Sequence, residues 1–218
     1  MDAPALRDAK RVLRPKIRAI RDALPEDERL RAGAEILQRI LDELTPLPKR
    51  VSFFAKSGSA TGGRRPTERG SIGSATGGRR PTERGSIGTE VDVTPIVPAL
   101  SEMGVEICFP RVEGDRIAFR RASLDELAPG TWGIPEPPST AAEATSIDVM
   151  IVPGVAFDRA CRRLGNGKGF YDRAIAAIRP SRTIGVCFHA QLVDDVPVGE
   201  HDIALDAVLT ERETLRRR

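Results

Sequence analysis

Apolar residues recur every three or four positions along the first part of the chain. Leu6, Leu13, Ile17, Ile20 and Leu24 follow this spacing, which predicts an amphipathic helix. A proline inside a helix removes a backbone donor, so the sequence also predicts a kink or a restart at residue 15. A second helix is predicted from the Pro-Glu-Asp-Glu run that begins at residue 25. Its apolar stripe comprises Leu30, Leu37, Ile40, Leu41 and Leu44.

The rest of the chain alternates between short apolar runs and helical patterns. The runs are rich in Val, Ile and Phe and predict strands over residues 51–55, 105–109, 116–120, 149–152, 183–188 and 207–209. Helices are predicted in the later part of 91–103 and over 170–178. This alternation is typical of a largely parallel sheet covered on both faces. We therefore predict an α/β fold, a three-layer α/β/α sandwich, with residues 1–218 forming one domain.

An identical tandem repeat interrupts this pattern. Residues 58–72 read G-S-A-T-G-G-R-R-P-T-E-R-G-S-I, and residues 73–87 repeat them without a change. Each copy contains a single large apolar residue and cannot form a core of its own, and its Gly, Ser, Thr, Arg and Pro content is typical of a flexible segment. We interpret 58–87 as a surface-loop insertion. The alternative is an arginine-rich arm that binds phosphates or RNA.

The positive charge of the chain comes from this repeat. The formal net charge is +3, and each copy carries three Arg and one Glu, which is +2 per copy and +4 for both. Subtracting +4 from +3 leaves −1 for the remainder. The body of the protein therefore needs no nucleic-acid partner to explain its charge, and we expect none.

The three cysteines, Cys108, Cys161 and Cys187, lie far apart and lack metal-ligand spacing, which favours idle thiols in a reducing compartment. No apolar run is long enough to span a bilayer, and residues 1–21 lack the apolar core of a signal peptide. We expect a cytoplasmic monomer with no membrane partner.

The segment L-G-N-G-K-G-F-Y-D-R, residues 164–173, carries the clearest chemical signal. Glycines at alternating positions let backbone N–H groups converge, and the helix predicted after them adds its positive dipole end, so the segment suits a phosphate group. Lys168 supplies a mobile positive charge, and Asp172 supplies a hard oxygen ligand of the kind that magnesium takes. The predicted ligand is a nucleoside triphosphate with its metal.

Glycines before a helix also occur in turns without a ligand, so this segment alone is weak support. It is not a Walker loop, because Lys168 is followed by Gly169 rather than by Ser or Thr. It also lacks the strand-to-glycine junction of a dinucleotide-binding fingerprint.

Several ordered motifs together resemble the 5-formyltetrahydrofolate cyclo-ligase family, also called the methenyltetrahydrofolate synthetases. The two longest are I-V-P-G-V-A-F-D at 151–158 and R-L-G-N-G-K-G-F-Y-D at 163–172. The others are A-K-R-V-L-R at 9–14, T-E-V-D-V-T at 89–94, T-W-G-I-P-E-P at 131–137 and H-D-I-A-L-D at 201–206. The chain departs from the family pattern at Phe170, where Tyr is commoner, and at Pro15, which follows the basic motif.

The resemblance implies an ATP-dependent enzyme that converts 5-formyltetrahydrofolate to 5,10-methenyltetrahydrofolate, with Mg²⁺ as cofactor. It implies catalytic roles for Lys168 and Arg14. It implies ATP contacts by Lys10, Arg11, Arg14, Arg163, Leu164, Gly165, Asn166, Gly167, Lys168, Gly169, Phe170 and Tyr171. It implies folate contacts by Glu90, Trp132, Asn166, Gly167, Lys168, Gly169 and Phe170, and metal contacts by Asp172 and Asp202.

Each of these residues also has a plainer interpretation from sequence alone. Lys10 and Arg14 can be solvated charges on a helix, Glu90 and Asp202 can be surface residues, and Trp132 can belong to the core. Two other function classes also remain open. One is a binding protein for folate or RNA that performs no turnover, and the other is an ATP-using enzyme that acts on another small heterocycle.

We predict that deletion of residues 58–87 leaves the fold and the basic activity intact. The deletion rejoins F-F-A-K-S-G to T-E-V-D-V-T, and loop length changes the closure free energy by only about 0.6 kcal/mol per doubling. Because Glu90 follows the insertion, we expect a changed KM for folate with nearly constant kcat and thermal midpoint. A sharp fall in the thermal midpoint would show that the repeat is packed structure.

Overall fold

The computed structural model describes residues 2–56 and 88–217; the repeat at 58–87 lies outside them, and its interpretation stays a prediction. The helices are α1 (Ala3–Asp22), α2 (Glu26–Glu43), α3 (Val97–Glu102) and α4 (Phe170–Ile178). The first six strands are β1 (Arg50–Ser52), β2 (Glu106–Glu113), β3 (Arg116–Arg121), β4 (Ala128–Pro129), β5 (Pro135–Glu136) and β6 (Val149–Val152). The last six are β7 (Ala156–Asp158), β8 (Arg163–Leu164), β9 (Arg182–Val186), β10 (Leu192–Val193), β11 (Ala207–Leu209) and β12 (Thr214–Arg216).

Seven strands form the main sheet in the order β12-β11-β9-β6-β1-β2-β3. The five inner strands run parallel to one another, and the edge strands β12 and β3 run antiparallel to their neighbours. The prediction of a largely parallel sheet is therefore confirmed. Each predicted strand is present, with ends shifted by a few residues.

The two faces of this sheet bury two separate apolar clusters. Along β6, Val149 and Ile151 belong to one cluster, and Met150 and Val152 belong to the other. This alternation follows from the two-residue period of a strand. Helices α2 and α3 cover the first face, and α4 covers the second, which gives the predicted three layers.

Helix α1 continues through Pro15, so the predicted restart is excluded and the kink, the other predicted alternative, stays a prediction. The structure has one helix from residue 3 to residue 22, with the proline inside it and no restart. The missing N–H of Pro15 would have bonded to the carbonyl of Arg11 in the preceding turn. Both residues are exposed, so water can solvate that carbonyl at low cost.

The apolar stripe of α2 also differs from the prediction at one position. Leu30 is 69% exposed, whereas Ala32, Ile36 and Ile40 are buried against the sheet. Leu30 lies six residues before Ile36 and hence about 120° away from it around the helix axis. It therefore points away from the buried face.

A second, three-stranded sheet supports α1. Its order is β10-β7-β8, and β7 and β8 form an antiparallel hairpin. Ile17 of α1 packs on this small sheet in a third apolar cluster with Val155, Ala156, Leu164 and Val196. The small sheet follows β6 directly along the chain, so it places α1 near the carboxyl edge of the main sheet.

The strand order reverses between β1 and β6. The chain runs from β1 to β2 on one side, and from β6 to β9 on the other side. Ligands in open α/β sheets bind outside the carboxyl ends of the strands at such a reversal. The loop that starts at Pro153 leaves β6 at this point and leads into the small sheet.

The three cysteines are free and buried, in line with their predicted role as idle thiols. Burial raises the pKa of the Cys108 thiol to about 12 and raises the pKa of Cys161 and Cys187 as well. In the described part of the chain, no helix is long and apolar enough to cross a membrane.

We predict that Ile36→Ala destabilises the protein much more than Leu30→Ala does. Ile36 is fully buried between α2 and the sheet, and removal of a buried Ile side chain costs about 2–5 kcal/mol of unfolding free energy. The exposed Leu30 on the same helix serves as the matched control, with an expected change within about 0.5 kcal/mol. Denaturant unfolding of both variants measures the difference, and equal losses would contradict this view of α2.

Candidate active site

The glycine-rich segment forms a loop between β8 and the N-terminus of α4. Gly167 and Gly169 adopt left-handed backbone conformations with φ of +96° and +63°, which glycine tolerates best. Gly169 is the residue that caps α4, so the positive end of that helix faces the loop. Asn166, Gly167 and Lys168 are exposed and accessible to a ligand. This geometry suits a phosphate group.

Arg163 lies beneath this loop as a buried cation. Its side chain is 5% exposed and forms an ion pair with Asp172, with 2.9 Å between Nη2 and Oδ2. Its guanidinium also lies 5.7 Å from the ring centre of Tyr171. A Cβ at Gly165 would lie only 2.5 Å from Nη1 of Arg163, so a side chain there would have to displace this guanidinium. The buried charge therefore sits directly against the backbone of the loop.

One face of α1 carries a row of basic residues onto this loop. Lys10 forms an ion pair with Asp202. One turn later, Nε of Arg14 donates to the carbonyl of Gly165 at 2.8 Å. A further turn on, Nη2 of Arg18 donates to Oδ1 of Asn166 at 2.6 Å. We refer to Lys10, Arg14, Arg18 and Arg21 as the basic face of α1.

Arg11 lies two turns before Arg18 and only about 20° from it around the helix axis, but it has a different partner. Its side chain is exposed and pairs with Asp8 at 3.3 Å. The partner of Arg11 is thus a residue of its own helix and not the glycine loop, and its contact with ATP stays a prediction.

Positive charge is crowded along the basic face. Burial, and then repulsion from Arg18, lowers the pKa of Arg14. Burial, and then repulsion from Arg21, lowers the pKa of Arg18, while Glu90 and Asp22 oppose that shift. Each shift means that the protonated guanidinium is less favourable here than in water. An anion bound between these groups would relieve the repulsion.

Glu90 provides a carboxylate at the far end of the basic face. Its side chain is 17% exposed and lies 3.5 Å from Nη1 of Arg21, which is almost fully buried. Burial raises the pKa of the Glu90 carboxyl, and Arg21 and Arg18 act against that rise. Such a group can accept hydrogen bonds from a heterocycle that presents N–H donors.

Trp132 is on the surface and not in the core. Its side chain is 44% exposed, and its backbone is left-handed with φ of +61°, which is strained for a large side chain. Its ring centre lies 6.2 Å from that of Phe170, the first residue of α4. An aromatic pair in which Trp132 is exposed and Phe170 is partly buried offers a surface on which a flat heterocycle can stack.

A buried carboxylate holds the Trp132 loop in this conformation. Oε1 of Glu136 accepts a hydrogen bond from the backbone N–H of Thr131 at 3.1 Å, and Oε2 lies 3.6 Å from Nη1 of Arg111. A Cβ at Gly130 would lie 2.4 Å from Cδ of Glu136, so a side chain there would have to displace this carboxylate. The strain at Trp132 is therefore supported by its surroundings.

The two predicted metal ligands lie on neighbouring segments. Oδ1 of Asp172 accepts from the backbone N–H of Ile203 at 3.3 Å, and Ile203 follows Asp202 in the chain. Both carboxylates already face cations, Asp172 the guanidinium of Arg163 and Asp202 the ammonium of Lys10. Among the residues that the structure describes, no three His, Cys, Asp or Glu side chains form a metal-binding group.

Some residues of this site were not predicted from the sequence. Arg18 and Arg21 continue the spacing of Lys10 and Arg14 along one helix face, and that periodicity could have indicated them. Gln191 gave no sequence signal. It is buried and donates to the carbonyls of Gly154 and Val155 at 3.1 and 3.0 Å, which fixes the loop after β6.

A cavity of about 230 Å³ lies away from these residues, between the turn that joins α1 to α2 and the segments that follow β9 and β11. None of the predicted site residues lines it. The convergence of charge and aromatic surface at the glycine loop is the stronger indication of function, because binding chemistry depends on which groups converge as well as on enclosed volume.

Comparisons with known proteins match the chain to one family. The sequence pattern described as the 5-formyltetrahydrofolate cyclo-ligase family matches residues 85–211. The mouse 5-formyltetrahydrofolate cyclo-ligase is 28% identical, over 97% of this chain and 98% of its own. The Escherichia coli K12 protein of the same name is 33% identical, over 56% of this chain and 71% of its own.

Solved structures show the same fold. The 5,10-methenyltetrahydrofolate synthetase of Aquifex aeolicus matches with a TM-score of 0.71 and 29% identity, over 96% of this chain and 93% of its own. The matched family pattern covers more than half of the chain and includes the glycine loop, Glu90, Trp132 and both aspartates. On this basis, the chain belongs to the 5-formyltetrahydrofolate cyclo-ligase family.

Proposed function

We propose that this protein catalyses the ATP-dependent cyclisation of 5-formyltetrahydrofolate to 5,10-methenyltetrahydrofolate, with release of ADP and phosphate. One observation carries the proposal. The basic face of α1 contacts the glycine loop through Arg14 and Arg18, it meets the carboxylate of Glu90 at Arg21, and the helix that follows the loop begins with the Phe170 ring beside Trp132.

The nucleotide is assigned to the glycine loop. The backbone amides of 165–169, the N-terminus of α4 and the side chain of Lys168 would hold the β- and γ-phosphates. Arg14 reaches the loop at Gly165, and its guanidinium also lies against Gly167. Lys10, one turn earlier on the basic face, extends the positive surface toward Asp202.

The folate is assigned to the Glu90 end of the basic face. A pterin ring presents adjacent N–H donors on one edge, and a partly buried carboxylate is a suitable acceptor for them. The ring faces would contact Trp132 and Phe170. Arg173, whose guanidinium lies 5.4 Å from the ring centre of Phe170, keeps that ring in place.

The chemical difficulty of this reaction is the leaving group. The formyl oxygen on N5 cannot leave as oxide. The formyl oxygen attacks the γ-phosphorus, the new O–P bond forms, and the bond to the β-phosphate oxygen breaks as ADP takes the electron pair. N10 then attacks the activated carbon, and phosphate departs with the C–O electron pair while N10 loses its proton. The protein contributes orientation and charge neutralisation, and no nucleophilic side chain is needed.

Magnesium fits this site in one specific way. Two carboxylates that are already paired with cations cannot form an all-protein cage, but Mg²⁺ commonly takes one or two carboxylates together with nucleotide phosphates. Asp172 and Asp202 are the residues that would hold it. The ion would supply charge neutralisation at the phosphates.

The other expectations stay predictions. We propose ATP and 5-formyltetrahydrofolate as the small-molecule partners. A monomeric state, a cytoplasmic location and the lack of a nucleic-acid partner are still inferred from sequence alone.

We predict ATP-dependent product formation that Lys168→Ala reduces by about 100-fold, since loss of one preorganised donor at a developing charge has an effect of this order. Methenyltetrahydrofolate absorbs in the near ultraviolet and its substrate does not, so absorbance with and without ATP measures turnover. Lys49→Ala is the matched control, because Lys49 is an exposed lysine that precedes β1 at the amino edge of the sheet. Lack of ATP-dependent product from the unmodified protein would refute the proposed function.

We also predict that 5-formyltetrahydrofolate changes the fluorescence of Trp132. Trp132 is the only tryptophan of the chain, so the signal has a single source. Its half-exposed ring should lose contact with water when a pterin stacks on it, which shifts the emission. An unchanged spectrum at saturating folate would remove Trp132 from the binding site.

A further inference from the structure

The basic face of α1 contains three successive guanidinium groups with different partners. Arg14 contacts the backbone of the glycine loop at Gly165. Arg21 faces the carboxylates of Asp22 and Glu90. Arg18 lies between these two on the helix and contacts the Asn166 side chain. Arg18 is thus located between the nucleotide side and the folate side of the site.

The partners of Arg18 leave its charge uncompensated by a close carboxylate. Its contact at 2.6 Å is to a neutral amide oxygen. In the described residues, 2–56 and 88–217, neither Arg14 nor Arg18 forms an ion pair, whereas Lys10 and Arg21 each do. On the basic face, the two guanidinium groups without a carboxylate partner are those of Arg14 and Arg18. These are also the two groups of that face that contact the glycine loop.

Arg18 is also held in position before any ligand binds. It is partly buried, and its helix is anchored by Ile17, the neighbouring residue, which packs on the small sheet. A preorganised charge costs no reorganisation when negative charge develops beside it, so it stabilises a transition state better than a mobile charge does.

Resting on the proposed function, we infer that Arg18 is a catalytic residue that contacts the γ-phosphoryl group during its transfer from ATP to the formyl oxygen. Arg14 and the loop amides hold the phosphates on the nucleotide side. Arg18 faces the group that moves, because it bridges the loop and the Glu90 end of the basic face. In this step one O–P bond forms and one breaks, and Arg18 donates hydrogen bonds without gaining or losing a proton.

The test compares Arg18→Met, Arg18→Lys and Lys16→Met. Lys16 is an exposed lysine on the opposite side of the same helix, so Lys16→Met removes one positive charge without touching the loop. We expect Arg18→Met to lower kcat by about 100-fold, with changes below about threefold in both KM values, since a contact made mainly in the transition state affects kcat. Arg18→Lys should recover part of kcat, and Lys16→Met should match the unmodified protein.

A binding measurement separates this role from a structural one. ADP with aluminium fluoride and magnesium mimics the phosphoryl group in transit, and a non-hydrolysable ATP analogue mimics the ground state. In the presence of 5-formyltetrahydrofolate, Arg18→Met should weaken the aluminium fluoride complex by at least tenfold and leave the affinity of the analogue nearly unchanged.

Each outcome decides the inference. Equal loss of affinity for both nucleotide complexes, or a raised KM for ATP with unchanged kcat, would make Arg18 a ground-state phosphate contact and overturn it. If Arg18→Met lowers the thermal midpoint, the affinities for the aluminium fluoride complex and for the ATP analogue are compared in Arg18→Lys instead. That variant retains the charge and the aliphatic stem, so a selective loss for the aluminium fluoride complex would still support the inference and an equal loss would overturn it. Failure of the proposed function is a separate result, because then the unmodified protein and Lys16→Met would also form no product.

Discussion

The packing of α1 on the small sheet is the contact on which the site depends. Ile17 inserts among Val155, Ala156, Leu164 and Val196, and this burial fixes the rotation of the helix about its axis. With about 100° per residue, the residues at 10, 14, 18 and 21 all lie within about 100° of Ile17 on one side of the helix. Burial of one isoleucine therefore directs four basic side chains toward Asp202, the glycine loop and Glu90.

The loop that receives this face is itself held by buried polar groups. Asp158 is fully buried and accepts four hydrogen bonds, from the backbone of Ala160, Arg162 and Val196 and from the Arg162 side chain. Gln191 joins the loop after β6 to the loop after β9. Buried polar groups with all partners in place specify one geometry, because any displacement leaves a donor or acceptor unpaired. The glycine loop thus has rigid support although its own residues are exposed.

Much of the fold could be predicted from apolar periodicity, because strands of a doubly covered sheet and helices with one buried stripe leave distinct patterns. The strands β7, β8 and β10 could not, since each has only two or three residues and their pairing depends on side chains such as Asp158. The sequence left a kink or a restart open at Pro15, and the restart does not occur, because the penalty of a proline in a helix depends on whether the freed carbonyl is exposed. Leu30 was misassigned for a similar reason, since residue type alone does not give the rotation of a helix.

For the site, sequence motifs indicated the candidate residues, and only the structure showed which of them lie in contact with one another. Helical spacing indicates Arg18 and Arg21, but Arg11 lies only about 20° from Arg18 around the helix axis, and only their contacts, with Asn166 and with Asp8, distinguish these two residues. Clustering Arg14, Arg18 and Arg21 opposes folding through like-charge repulsion and desolvation, and Glu90 and Asp22 compensate only the Arg21 end directly. An arrangement that is unfavourable in the free protein and becomes favourable when a polyanion binds is the electrostatic form expected of a phosphoryl-transfer site. The positive charges without a carboxylate partner are on Arg14 and Arg18, beside the glycine loop to which the nucleotide is assigned. Arg21, which is paired with Asp22 and Glu90, lies at the end of the basic face to which the folate is assigned.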